Sequence, residues 1–238
     1  FPYTTLFRSG NEARIKKAYE SRDPRLQMAV ITPYAQYNGA SSGIAHTYTL
    51  RWPYRGSDSA EPFDIRTDTN DKFYYLWRKF VPEGLEQTER DTYGLDIPLI
   101  RYAEVLLLKA EALNEWGSTH ESEAIRCVNE VRRRAGHVEL NNATYPATKV
   151  NGQSDLRERI RNEYYWEIGG EDSMYFHELR WGTWKDKKFD NNRNGLMQMW
   201  GETTYTWYWL GDQCWSWPIP AKEMEMNSNL EQNEGWIN

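Results

Sequence analysis

The sequence predicts a mostly α-helical protein with long irregular loops and a helical hairpin near its centre. Apolar residues recur at spacings of three and four in residues 97–117 and again in 124–136, which is the period of an amphipathic helix. Each of these runs ends on a glycine, a common helix stop. Residues 34–71 and the chain beyond 181 instead mix Gly, Pro and aromatic residues without a helical period, which is typical of loops.

Two short elements are predicted in the first 80 residues of the chain. It begins with FPYTTLFRS, which resembles one reading frame of a common sequencing-library adapter, so residues 1–9 are predicted to be a non-native scar. Residues 11–20 are rich in helix formers, and this helix is predicted to end near Arg22, because Pro24 disfavours helical geometry just before it. The ring-rich run KFYYLWRKF at 72–80 is predicted to be a strand or an extended segment.

The central hairpin is predicted from two helices and the short turn between them. Pro98 suits the first turn of a helix and Gly117 suits the position after its end, so the first helix is expected to span about five turns. The following STHE fits a capping box in which Ser118 caps a second helix and Glu121 bonds back to it. Because that helix ends at Gly136, the pair is predicted to be a hairpin of the tetratricopeptide type.

A third helix is predicted for residues 156–169, capped by Ser154 or Asp155. Its apolar stripe consists of Leu156, Ile160, Tyr164 and Ile168. The tryptophans on helices or scaffold motifs are assigned to the core: Trp116, Trp166 and Trp181. Beyond the last of these, no clear regular structure is predicted.

Composition argues against several classes of protein. The net charge is −6 and the basic residues are dispersed, so nucleic-acid binding is not predicted. No apolar run reaches the roughly 18–20 residues that a membrane-spanning helix needs. The 12 Trp and 16 Tyr outnumber the 7 Phe, an excess of rings with a polar edge. Such rings indicate either a Trp-rich core or a surface that stacks on flat, hydroxyl-rich ligands such as sugars.

Six segments of the chain carry a resemblance to a known family. They are YESRDPRL (19–26), YYLWRKF (74–80), IPLIRYAEVLLLKAEALNEWG (97–117), AIRCVNEVRRRAG (124–136), ERIRNEYYWEIGGEDSMYFHELRWG (158–182) and WPIPAKEMEMNSNLEQNEGW (217–236). In this order they resemble the C-terminal half of the SusD/RagB family, the surface glycan-binding lipoproteins of Bacteroidota.

The resemblance implies a helical scaffold of four tetratricopeptide-like units beneath a loop-rich face. It implies a lipid anchor at the outer membrane, a surface-exposed location, and association with a SusC-like TonB-dependent transporter. Members deliver oligosaccharides or, in some cases, peptides to that transporter. Because members are longer, residues 10–238 are interpreted as the C-terminal part of a SusD-like domain, incomplete at the N-terminus and without its anchor or signal.

The residues favour binding over catalysis. Glu163, Glu167 and Glu171 recur at intervals of four, but such a row is predicted to be a solvated helix face and not the carboxylate pair of a glycosidase. The four His and two Cys have no metal-binding spacing, and no phosphate loop or nucleophile elbow is present. The chain is therefore predicted not to be an enzyme, with no cofactor and no metal.

The candidate ligand-binding residues are rings and polar neighbours in residues 34–55 and 200–209. A pyranose stacks its C–H face on Trp or Tyr, while nearby polar side chains bond to its hydroxyls. The predicted site consists of Tyr34, Tyr37, Trp52, Tyr54, Arg55, Trp200, Trp207 and Trp209. For any single ring, the alternative is an anchor that fixes irregular backbone to the helices.

Four functions remain open. The first is non-catalytic binding of oligosaccharides or polysaccharides and their delivery to the transporter. A second is that this part of the chain mainly docks on the transporter, with the ligand site in the missing N-terminal half. Peptide binding and, less favoured, an enzyme acting on glycans are the others.

Overall fold

The computed structural model describes residues 17–20, 22–41, 43–51, 64–66, 76–84, 96–171, 173–188 and 209–236. The chain divides into two compact units, with the boundary between Met174 and Tyr175. The first unit contains the long helices and the strands, and the second contains short helices joined by irregular segments. The prediction of a mostly helical fold with irregular connections is confirmed.

The elements of the described residues are as follows. The helices are α1 (Pro24–Ala29), α2 (Tyr102–Trp116), α3 (Glu121–Arg134), α4 (Gln153–Ile168), α5 (Ser173–Arg180), α6 (Trp184–Lys188) and α7 (Ala221–Met226). The strands are β1 (Val30–Ile31), β2 (Gln36–Ser41), β3 (Ile44–Arg51), β4 (Asp64–Arg66) and β5 (Leu76–Trp77). Short 3-10 turns occur at Ser118–His120, Pro146–Thr148 and Asp212–Trp215.

Helices α2 and α3 form the predicted hairpin, and α2 also packs on α4. Their buried apolar residues are Leu106, Leu107, Ala110 and Leu113 in α2, Ala124, Ile125, Val128 and Val131 in α3, and Leu156, Ile160, Tyr164 and Ile168 in α4. Each fully buried aliphatic side chain stabilises the fold by about 1.5–3 kcal/mol relative to exposure. These residues of the predicted stripes are confirmed as the core of the first unit, whereas Trp116, Val105 and Leu108 of the first stripe are exposed.

The ends of the hairpin helices differ from their predictions. Helix α2 begins at Tyr102 instead of near Pro98, so it spans roughly four turns. The predicted capping box does not form, because Ser118 starts a 3-10 turn and α3 has no side-chain cap. The cause is the backbone of Gly117, whose φ of 140° and ψ of 172° end α2 in an extended conformation available mainly to glycine.

A side chain in the first turn of helix α4 bonds to the backbone that precedes the helix. Its N-cap position is Gly152, so the prediction that Ser154 or Asp155 is the cap residue is wrong. Asp155 instead bonds backwards, since its Oδ2 accepts the backbone N–H of Asn151 at 2.8 Å. In a capping box the acidic side chain would bond to the N-cap residue, whereas here it reaches the residue before Gly152.

Trp116 and Trp166 are exposed, which contradicts their assignment to the core. Trp116 is 75% exposed and stacks on the ring of His120, with centroids 4.4 Å apart. Trp166 is 44% exposed and stacks on His137 at 5.6 Å, while Trp181 is half-buried. Trp116 is the last residue of α2, where the chain turns away, so its ring leaves the interface that the preceding turns bury.

The segment 34–71 was predicted to be a loop, but it contains a β-hairpin. Strands β2 and β3 pair antiparallel with Tyr37 opposite Tyr48, and β4 runs parallel to β3. Gly43, with φ of 76°, lies in the two-residue connection, where positive φ suits the twist of a hairpin. The Ser and Gly residues that suggested a loop are therefore partly turn and partly strand interior.

The predicted break before Pro24 is confirmed. Asp23 has an extended φ and ψ of −50° and 129°, and its side chain caps α1 by accepting the N–H of Arg25 at 2.9 Å. The predicted extended segment is a strand at its described end, because β5 pairs antiparallel with β1. Residues 72–75 lie outside the described residues.

In the second unit, polar side chains hold the C-terminal segment. Gln232 accepts the N–H of Ile219 at 2.7 Å and donates to its C=O at 2.9 Å, a pairing like that between two strands. Asn233 donates to the C=O of Trp217 at 2.6 Å. Helix α7 lies between these partners, so the expectation of no regular structure beyond Trp181 is wrong.

Candidate functional site

Tyr34 sits in a tight turn just before β2. The N–H of Ala35 donates to the C=O of Thr32 at 2.9 Å, which closes a four-residue turn around Pro33 and Tyr34. The φ of Tyr34 is 62°, and positive φ directly after a turn proline is the geometry of a type II turn. The N–H of Tyr34 also donates to the C=O of Leu50 at 2.6 Å, so the turn is tied to β3.

A tyrosine in this backbone conformation is unfavourable by itself. Gly or Asn is usual at the third position of a type II turn, and another residue there costs on the order of 1 kcal/mol. The preceding Pro33 presets the turn, and the bond to Leu50 holds it. Strain of this kind concentrates at ligand sites. The strained turn therefore makes the surface around the Tyr34 ring a candidate ligand site.

Tyr34 lines an open cavity with a volume of about 500 Å³. Ligand sites for small molecules usually measure roughly 300–1,000 Å³. We call this cavity the Tyr34 pocket; its lining includes two tyrosines and several polar side chains, namely Tyr19, Glu20, Gln27, Thr32, Tyr34, Gln36, Thr49 and Arg78. Rings beside hydrogen-bonding groups are the combination that the sequence led us to seek for a sugar site.

Sequence reasoning missed Tyr19 and Arg78 as pocket residues. Each belongs to a segment that was interpreted only as scaffold, and the fold brings both to the Tyr34 turn. Nε of Arg78 donates to Oε1 of Glu83 at 2.6 Å, which fixes the guanidinium at the wall of the pocket. The available signal was their position, since these two segments flank the ring-rich stretch in the sequence.

Tyr37 is part of a small core. It is 4% exposed and packs with Ile31 and Leu50, and its hydroxyl donates to the C=O of Pro82 at 2.6 Å. Burial, followed by the charge of Glu83, raises the pKa of that hydroxyl. A ring placed in this way anchors irregular backbone, which is the alternative role that the sequence left open for each predicted ring. Tyr37 is therefore not included in the proposed pocket.

Trp209 lies in the second unit within a group of aromatic rings. Its centroid is 5.0 Å from that of Trp215 and 5.7 Å from that of Trp184. Nζ of Lys185 lies 5.2 Å from the same centroid, and Nε1 of Trp209 donates to Asp212 at 3.4 Å. The ring is half-buried, and its predicted contact with ligand stays a prediction.

The other five predicted site residues lie outside the described residues. They are Trp52, Tyr54, Arg55, Trp200 and Trp207. Their role in ligand binding stays a prediction.

The carboxylate row of α4 is not the solvated face that its sequence suggested. Glu163 is 0% exposed and Glu167 is 4% exposed, and the side chain of Glu171 is 7% exposed. The prediction fails because cations from other parts of the first unit cover the row. These partners are invisible in the helix sequence alone.

We call these charges the ion-pair cluster. Its carboxylates are Asp23, Glu163, Glu167 and Glu171, and its cations are Arg25, Lys79, Arg101, Arg132 and Arg134. Glu167 is at the centre, where Oε2 accepts Arg25 at 3.1 Å and Oε1 accepts Arg101 at 2.9 Å. A third guanidinium, that of Arg134, donates to Glu167 at 2.6 Å.

The remaining carboxylates of the cluster are paired in the same way. Glu163 lies 2.8 Å from Arg132, with hydrogen-bond geometry, and 2.8 Å from Arg25 as an ion pair. Glu171 pairs with Arg101 at 2.7 Å and also with Lys79. A buried charge is tolerated only when it is compensated in this way.

The cluster lowers the pKa of two of its carboxyls, those of Glu167 and Asp23. Burial alone raises the pKa of Glu167, but hydrogen bonds from Arg101 and Arg25 outweigh it and bring the pKa below the usual 4.5. Burial likewise opposes ionisation of Asp23, and the bonds from Arg25 lower its pKa below 3.8. A glycosidase needs one carboxyl that keeps its proton near neutral pH. Glu167 is tuned in the opposite direction.

Acid is expected to weaken the fold through this cluster. Because the folded pKa of Glu167 is lowered, its contribution to the free energy of unfolding is fully present above 4.5 and is lost as pH falls through the folded pKa. Urea unfolding measured from about pH 7 down to about pH 3 tests this. In Glu167→Gln the decline below 4.5 should be shallower, and an equal slope in both proteins would contradict the assignment.

The described residues contain neither a metal-binding cluster nor a membrane-spanning helix. No group of three or more His, Cys, Asp or Glu side chains among them is arranged to hold a metal ion. No helix in this part of the chain is both long enough and apolar enough to cross a bilayer.

Comparison with known proteins gives a consistent result. The family model described as the SusD family matches residues 7–236. The starch-binding protein SusD of Bacteroides thetaiotaomicron is 28% identical over 161 residues, which cover 67% of this chain and 25% of that protein. A SusD-like protein of Formosa agariphila is 32% identical over 139 residues, or 58% of this chain and 24% of that protein. The chain thus spans about a quarter of the length of these relatives.

Solved structures show the same fold. A SusD-like protein from Bacteroides fragilis superposes with a TM-score of 0.59 at 22% identity, covering 92% of this chain and 40% of that one. A SusD-like carbohydrate-binding protein from the same organism gives 0.54 at 24% identity, covering 97% and 45%. At these identities the likeness establishes the architecture.

Proposed function

Because this chain belongs to the SusD family, whose model matches residues 7–236, we propose that it binds glycans at the bacterial cell surface and delivers them to a SusC-like TonB-dependent transporter. The observation that carries the proposal is the Tyr34 pocket, where tyrosine rings lie beside neutral and charged hydrogen-bonding side chains. Two of the similar proteins are named for binding starch and carbohydrate.

The proposed location is the outer membrane, with the protein exposed at the cell surface. Family membership supports this location and the transporter partnership. A lipid anchor would tether the whole protein, and the glycan-binding face would be turned towards the medium.

The proposed role is non-catalytic. The row of Glu163, Glu167 and Glu171, which resembles a catalytic set in the sequence, is buried among cations and holds the fold together. Glu167 at the centre of this row has a lowered pKa, and buried carboxyls paired with guanidinium groups are poorly placed to supply the general acid that glycoside hydrolysis requires. Binding is the chemistry that the Tyr34 pocket supports.

The full chain is expected to bind at least one glycan without cleaving it. Native gels that contain starch, xylan, mannan, laminarin or pectin test this, because a binding protein migrates more slowly in the gel that holds its ligand. Bovine serum albumin serves as the non-binding control, and a casein peptide digest in solution tests the peptide alternative. Unretarded migration in every gel would contradict the proposal, and release of reducing sugar would contradict its non-catalytic part.

A second candidate function is docking on the transporter. The chain spans about a quarter of its relatives' length, which leaves room for a ligand site elsewhere in a longer protein. Co-purification of the chain with a SusC-like transporter, together with failure to bind any glycan, would favour this candidate.

A further inference from the structure

We infer that the Tyr34 pocket is the glycan subsite of the first unit and that it takes an uncharged pyranose. This inference rests on the proposed function and adds the place of binding and the charge class of the ligand. It uses only residues that the structure describes.

The first support is the way the ring of Tyr34 is presented. A type II turn strained at its third residue holds the backbone of Tyr34, and the bond to Leu50 locks that turn to β3. Glycine adopts this positive φ more easily than tyrosine does, so the backbone conformation does not explain why a tyrosine occupies position 34. A half-buried tyrosine at the wall of an open cavity can offer its face to the C–H patch of a sugar.

The second support is the polar complement of the pocket. Gln27 and Gln36 each carry donors and acceptors in one group, which suits hydroxyls that both give and take hydrogen bonds. Arg78 adds a donor whose position is fixed by its bond to Glu83. A ring face combined with a few oriented polar groups is the usual composition of a small-ligand site.

The third support, which decides the charge class, is electrostatic. Among the described residues, the lining contains one carboxylate, that of Glu20, and one guanidinium, that of Arg78, which is already paired with Glu83 at 2.6 Å. An anionic sugar would meet a guanidinium whose charge is already offset by Glu83, and it would lie in the same pocket as the carboxylate of Glu20. Like charges within one pocket repel each other, because the pocket is no wider than the roughly 8 Å over which physiological salt screens charge. The pocket therefore favours neutral sugars over uronic acids.

The test uses the full chain and isothermal titration calorimetry. The neutral probes are maltohexaose, xylohexaose, laminarihexaose and mannohexaose, and the anionic probe matched to the last of these is hexamannuronate. At least one neutral hexaose should bind. Tyr34→Gly should weaken that binding about tenfold, because it removes the ring while easing the backbone. Tyr34→Phe, which keeps the ring, should stay within about threefold of the wild type.

Two controls make the outcome specific. Tyr145→Ala removes a tyrosine that is 53% exposed outside the pocket and should leave affinity unchanged. Should circular dichroism show that Tyr34→Gly is unfolded, Gln36→Ala takes its place, with an expected loss of about threefold. Hexamannuronate should bind at least about fivefold more weakly than mannohexaose, or not at all.

The possible failures are distinguishable. If the wild type binds a neutral hexaose but the folded Tyr34→Gly and Gln36→Ala variants bind it equally well, the subsite is wrong and the proposed function stands. Equal or tighter binding of hexamannuronate overturns the charge class alone. If the wild type binds no glycan of either kind, the proposed function falls and this inference falls with it.

Discussion

The Glu167→Gln variant is expected to lose about 3–5 kcal/mol of its free energy of unfolding. The Glu167 side chain is 2% exposed and accepts from Arg25, Arg101 and Arg134. Glutamine keeps the shape of the side chain but removes the charge, so three guanidinium groups lose a shared anionic partner, and one of them, that of Arg25, is only 10% exposed. Urea unfolding followed by tryptophan fluorescence at neutral pH measures the loss.

Glu115→Gln is the matched control for this experiment. Glu115 also pairs with a guanidinium, that of Arg157, at 2.6 Å, but the two side chains are 44% and 32% exposed. A surface pair of this kind contributes less than about 1 kcal/mol, because water already solvates both charges. Similar losses in the two variants would contradict the view that burial gives the ion-pair cluster its large effect.

The Leu107→Ala variant is expected to lose about 2–5 kcal/mol of its free energy of unfolding. Leu107 is 0% exposed on α2, the helix that packs on both α3 and α4. Alanine removes buried methyl groups and leaves a cavity that the three helices can only partly close. For a chain of this size the melting temperature should fall by roughly 5–15 °C, which differential scanning calorimetry measures.

Leu108→Ala provides the control within the same helix. Leu108 is the next residue along α2 and is 41% exposed, so the same atoms are removed from a site that water already reaches. Its expected loss is about 1 kcal/mol or less. A loss for Leu108→Ala as large as that for Leu107→Ala would mean that the assigned face of α2 is incorrect.

The sequence predicted the three long helices well because each carries its own evidence. The spacing of Leu156, Ile160, Tyr164 and Ile168 already specifies a helix face, and all four are buried. Glycines at 117 and 136 likewise predicted where helices stop, since positive φ is a local property of the residue. Periodicity and stop signals depend only on near neighbours in the chain.

Two of the failed predictions share a long-range cause. Whether Glu163 and Glu167 face water depends on where Arg25 and Arg101 arrive, and no local pattern contains that information. The β2–β3 hairpin was hidden for a related reason, because Gly and Ser in a strand are identified only by the partner strand. Of the predicted site residues that the structure describes, Tyr34 alone lines the Tyr34 pocket, and Tyr19 and Arg78 reach this pocket through the fold.

The ion-pair cluster joins residues that are far apart in the sequence, and this separation predicts an order of assembly for the first unit. Helices α2, α3 and α4 are near neighbours in the chain, whereas the contact between Arg25 and Glu167 joins residues 142 positions apart. Closing so long a loop is slow compared with pairing adjacent helices. We therefore expect the three helices to pack together before Arg25 reaches the carboxylate row of α4. By the same reasoning, Arg25 and Lys79, which come from outside the three helices, are expected to join the ion-pair cluster after Arg132 and Arg134 of α3.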